Sequence, residues 1–148
     1  MKRDLIITAS RSLLILLFFY ASVSKLVDIP LFKRQMEAQP FPHWLALSFM
    51  VLVPLSEIVL AVLLMIEATS KKALLASSIL MALFTLYIGA ILLNFFGRIP
   101  CSCGGVIQKL DWPQHLIFNI IFLTIAISGY LSARQPVNLK RKSIKLSV

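Results

Sequence analysis

Apolar residues fall in four long runs, at about 5–24, 44–66, 73–96 and 114–133, with most charged residues gathered between them or at the ends. Each run reaches the roughly 20 residues that a helix needs to cross about 30 Å of hydrocarbon at 1.5 Å per residue. The pattern predicts an all-α integral membrane four-helix bundle over 1–134 and a basic tail over 135–148. The first run follows Met1-Lys2-Arg3-Asp4, and Ser22-Val23-Ser24 resembles a cleavage site for a signal peptide. The run is too long for a signal core and no polar secreted domain follows it, so a retained helix is expected.

The connections carry their own signals. Lys25 to Pro42 is the longer one, and its amphipathic centre, Pro30-Leu31-Phe32-Lys33-Arg34-Gln35-Met36, is expected to lie on the membrane surface before Pro40 and Pro42 turn the chain inward. His43 and Trp44 then stand where amphipathic rings favour the interface. The fourth helix has the clearest start: Asp111 as cap, Pro113 in the first turn, and Gln114 in a capping-box relation to Asp111.

Composition strengthens the membrane reading. The 148 residues are 59% hydrophobic, with a mean hydropathy of +0.88, beyond an ordinary soluble domain. With four spans in a chain of this length, a separate soluble catalytic domain is not expected. The net charge of +9 sits at the ends of apolar runs, which suits lipid headgroups and not nucleic acid. Lys2, Arg3, Lys71, Lys72, Arg134, Lys140, Arg141, Lys142 and Lys145 put nine basic residues on one side, against five for Lys25, Lys33, Arg34, Arg98 and Lys109, with Arg11 set aside within the first helix. That imbalance predicts both termini in the cytoplasm and the third connection on the periplasmic side of an inner membrane.

The third connection holds the chain's two cysteines, in Gly97-Arg98-Ile99-Pro100-Cys101-Ser102-Cys103-Gly104-Gly105. One intervening residue makes a strained, oxidising disulfide, and Arg98, Lys109 and the positive end of the fourth helix would stabilise a thiolate. A redox pair is the leading expectation. A permanent staple closes too short a loop to remove much chain entropy. Two soft thiolates with His115 nearby would also suit Cu(I) or Zn(II), although no metal site is assigned.

His115 and Asn119, four apart, share a helix face beneath these cysteines. His115 is a candidate proton acceptor and Asn119 a candidate partner for a ligand carbonyl; interfacial packing and an interhelical hydrogen bond are the plainer alternatives. Phe118 and Phe122, with Phe95 and Phe96, form a candidate apolar slot for a quinone ring, or simply pack. Arg11 and Glu57 are the ionisable residues within the first and second runs, and depth counting from the membrane faces pairs them, with a proton-handling role for Glu57 as the alternative.

These residues together resemble the DoxX-like superfamily, specifically its MauE branch. The resemblance rests on Tyr20-Ala21-Ser22-Val23-Ser24-Lys25-Leu26-Val27-Asp28 with Phe32, on Val53-Pro54-Leu55-Ser56-Glu57, and above all on Pro100-Cys101-Ser102-Cys103-Gly104-Gly105 followed by Trp112, His115, Phe118 and Asn119. It implies a four-helix inner-membrane protein linked to thiol-disulfide chemistry, helping a periplasmic enzyme subunit gain its disulfides beside a thioredoxin-like partner. The expected activity is therefore membrane thiol-disulfide oxidoreduction, with Cys101, Cys103 and His115 as catalytic residues. Phe118, Asn119 and Phe122 would bind a quinone acceptor, which by analogy with other four-helix thiol oxidases would take the electrons. A non-catalytic assembly factor is the competing expectation.

Overall fold

The computed structural model describes residues 2–40, 42–97 and 111–135. Cys101, Cys103 and the tail lie outside the described residues. The described residues form five helices: α1 (Lys2–Val27), α2 (Ile29–Glu37), α3 (His43–Met65), α4 (Glu67–Leu92) and α5 (Trp112–Arg134). All but α2 are long and apolar enough to cross a membrane. Together with outward-facing side chains such as Leu16, Phe19, Val51 and Leu86, each more than half exposed, they make this a multi-pass membrane protein. Lipid is the natural partner of such a surface.

The four long helices alternate in direction, α1 packing on α3 and α5, and α4 closing the ring against the same two. Their shared core is Leu14, Leu17 and Phe18 of α1, Leu60, Ala61 and Leu64 of α3, Ala73, Leu74 and Met81 of α4, and Ala126 of α5. Gly129 lets α5 approach closely: a Cβ there would lie 2.7 Å from Ser10 Cβ and 3.1 Å from Leu74 Cδ2. Small residues at such crossings are how membrane helices gain packing without a hydrophobic drive between them.

Helix ends are set by polar chemistry more than by the limits of the apolar runs. α4 starts at Glu67, a single residue after α3, and its first turns include Lys71 and Lys72. At its far end the apolar run continues to Phe96, yet the helix stops at Leu92 because Asn94 turns left-handed, with φ 54°. Where α3 ends, its last carbonyls lack helical donors. Thr69 Oγ1 donates to Leu63 O at 2.8 Å, Arg11 Nε to Leu64 O at 2.9 Å and Arg11 Nη2 to Met65 O at 3.1 Å. Arg3 Nε does the same for Ser132 O of α5, at 2.8 Å. These arginines satisfy backbone carbonyls that the helices themselves leave without donors.

The expected Arg11–Glu57 pair is therefore not formed. Arg11 lies level with the last turn of α3, and Glu57 is two turns back toward the start of that helix and pairs with Lys25. Depth counting failed because α1 begins at Lys2, before the apolar run, and because the capping of α3 sets the register of the two helices.

The amphipathic stretch does form a helix, α2. Asp28 caps it by accepting from Leu31 N–H at 3.0 Å, and Pro30 stands in its first turn. Its apolar side lies on the bundle: α2 packs on α3 and α1, and Phe32 is 5% exposed.

Candidate functional site

The end of the bundle where α1 and α4 stop and α5 begins contains a cavity of about 150 Å³. α1 contributes Leu17, Phe18, Ala21 and Lys25, and α2 covers it with Phe32, Gln35 and Met36. Val53 and Glu57 come from α3, on either side of Pro54. Met81, Phe84, Tyr87 and Ile88 come from α4, and Trp112, His115 and Asn119 from α5. Most of this wall is hydrocarbon, so its few polar groups decide what it can do.

The strongest is an ion pair. Lys25 Nζ donates to Glu57 Oε1 at 2.8 Å and Oε2 at 3.1 Å, and also to Ala21 O at 3.2 Å. Helical side chains lean toward their own N-terminus. Since α1 and α3 are antiparallel, Lys25 leans back along α1 and Glu57 leans the opposite way along α3, so the charges meet although their Cα atoms lie at different depths. The side chains are 13% and 3% exposed. An unpaired charge at that depth would be expensive, and here both carboxylate oxygens are engaged by Nζ, which also reaches a backbone carbonyl.

α5 supplies the second polar set. Asp111 and Gln114 form the capping box expected from the sequence, with Asp111 N–H donating to Gln114 Oε1 at 3.3 Å. That start orients the helix so that Trp112, His115 and Asn119, spaced by three and four, form one stripe on the cavity wall. Asn119 is 4% exposed, and among the described residues its Nδ2 has no hydrogen-bond partner. His115 is half-buried beside it. Across the cavity, Tyr87 Oη donates to Gln39 Oε1 at 2.6 Å, tying the chain after α2 to α4; Gln39 Nε2 in turn reaches Gln35 O at 3.0 Å.

His115 and Asn119 thus share a wall, as their spacing predicts. Phe118 and Phe122 do not join them: their rings lie 4.7 Å apart, tilted by 41°, and pack against the apolar core. Phe95 and Phe96 meet edge to face at 5.6 Å, with Phe95 81% exposed. The aromatic walls are instead Phe18, Phe32 and Phe84. Lys25 was missed as the partner of Glu57, although a signal existed. Leu14, Phe18, Ala21 and Lys25 recur at helical spacing, so the lysine continues a buried stripe.

No curated protein and no solved structure matches the chain. A family model described as methylamine utilisation protein MauE matches residues 3–132, a span that includes the ion pair, the cavity-lining stripe of α5 and the two cysteines. By that match and by its four apolar helices, this chain belongs to the MauE family of membrane proteins.

Proposed function

We propose that the protein is a thiol-disulfide oxidoreductase of the bacterial inner membrane, exchanging electrons between a periplasmic thioredoxin-like or maturing protein and a membrane acceptor through Cys101 and Cys103. The observation that carries this reading is the tethering of the cysteine segment: it leaves after Gly97 and returns at Asp111, and the first two turns below Asp111 line a largely apolar cavity with a few polar groups on its wall. A redox pair and a sheltered site for an electron acceptor would then be neighbours in one helix hairpin. The excess of basic residues at the other end of the bundle supports a periplasmic position for the pair. The family's name supports an enzyme of methylamine utilisation as the protein that matures.

In the forward exchange, a partner thiolate attacks one sulfur of the Cys101–Cys103 disulfide, breaking that bond and forming a mixed disulfide. The partner's second thiol then displaces the remaining cysteine, and the partner leaves oxidised. Two electrons and two protons have passed to this chain as a dithiol. A bound quinone supplies a two-electron, two-proton acceptor. His115 is the group of this chain suited to hold a proton released from a thiol, and Asn119 the one suited to orient the acceptor.

Cys101→Ser and Cys103→Ser test the reading. Each should abolish disulfide transfer, and one should accumulate a mixed disulfide visible on a non-reducing gel. Alkylation-shift assays should find the pair more reduced in cells lacking respiratory quinone. An assembly factor without redox function would tolerate both substitutions, and that result would displace the proposal.

A further inference from the structure

We infer that the cavity beneath α2 binds the quinone ring itself, among Phe18, Met81 and Phe84, with Asn119 Nδ2 donating to a ring carbonyl. The inference rests on the oxidoreductase reading for the identity of the occupant and on the cavity for everything else.

The polar groups on the wall select a neutral ligand. Lys25 is held by Glu57 and Ala21 O and its charge is balanced by the carboxylate, so the pair offers no net positive charge to an anionic guest. Both oxygens of Glu57 are engaged by the same ammonium, so a cationic guest finds no open carboxylate. Among the neutral polar groups on the wall, Asn119 offers a buried amide donor, Nδ2, unpartnered among the described residues. Leaving such a donor empty is costly, and a carbonyl acceptor would relieve it. The volume of about 150 Å³ matches cavities that admit a single six-membered ring. The occupant is therefore planar, largely apolar, uncharged and carbonyl-bearing, and its source is the bilayer around the helices. His115 shares the same wall and provides a second polar edge.

The test uses the full chain in lipid nanodiscs. Trp44→Phe leaves Trp112, on the cavity wall, as the sole tryptophan, and short-chain ubiquinone is titrated while its fluorescence is read. Quenching should saturate. Asn119→Leu should weaken binding roughly tenfold, about one hydrogen bond, while raising the thermal midpoint of the empty protein. Val53→Phe, which fills the cavity from α3, should also weaken binding, and covers the case in which the asparagine variant does not fold. Quenching that rises linearly means quinone dissolved in lipid only and overturns the site, as does wild-type affinity in Asn119→Leu. The two readings fail separately. Cysteines that cycle in cells without saturable quinone binding overturn this assignment alone, whereas Asn119-dependent binding with cysteines that never cycle overturns the oxidoreductase reading alone.

Discussion

Lys25→Met removes the charge of the buried pair while keeping a long, flexible side chain in its place. Glu57, with its side chain 3% exposed, loses the group that held both of its oxygens. Stranding one member of a buried pair costs about 3–5 kcal/mol. Glu57→Gln should be milder, about 1–2 kcal/mol, because Lys25 is 13% exposed, keeps Ala21 O, and still finds an amide oxygen. Removing both charges in Lys25→Met with Glu57→Leu should recover most of the loss, since packed apolar groups often replace a buried pair at little cost. The readout is reversible unfolding in mixed micelles titrated with a denaturing detergent, followed by helical circular dichroism. The double-mutant cycle built from Lys25→Met, Glu57→Leu and the double variant should give a coupling of at least about 3 kcal/mol, since Lys25→Met alone costs that much and the double recovers most of it, whereas the cycle for Arg11 and Glu57 should lie within about 0.5 kcal/mol of zero. Additive losses for Lys25 and Glu57, or a larger coupling with Arg11, would refute the register of α1 on α3 and with it the composition of the cavity.

Other substitutions address the parts that hold this site in place. Arg11→Met leaves Leu64 O and Met65 O without their donor and should cost about 1–3 kcal/mol in the same unfolding assay. Gly129→Ala would place its Cβ 2.7 Å from Ser10 Cβ, so α5 must shift, with an expected loss of about 1–3 kcal/mol; an unchanged midpoint would contradict that close approach. Tyr87→Phe removes the 2.6 Å bond to Gln39, about 1 kcal/mol, and should speed hydrogen exchange across 29–37 while leaving α5 protected.

Much of the architecture was legible in the linear chain because bilayer thickness and helical rise turn a run of apolar residues directly into a spanning helix. Capping chemistry was equally readable: Asp111 and Gln114 act within four residues of each other, and no other helix is needed to predict their bonds. The stripe of His115 and Asn119 followed from the same local geometry. Contacts across helices were less accessible. The partner of Glu57 depended on where α1 begins, on Arg11 and Thr69 finishing α3, and on the opposite lean of side chains on antiparallel helices. Spacing within α1 marks Lys25 as continuing a buried stripe, but it does not say which residue of another helix the lysine meets. Likewise, spacing could not separate Phe118 and Phe122, which pack on the core, from Phe18, Phe32 and Phe84, which enclose the cavity, because the choice depends on which neighbour each face meets. Local order along the sequence thus determined the helices and their caps, whereas the charge pairing and the cavity arose only when the helices were brought into register.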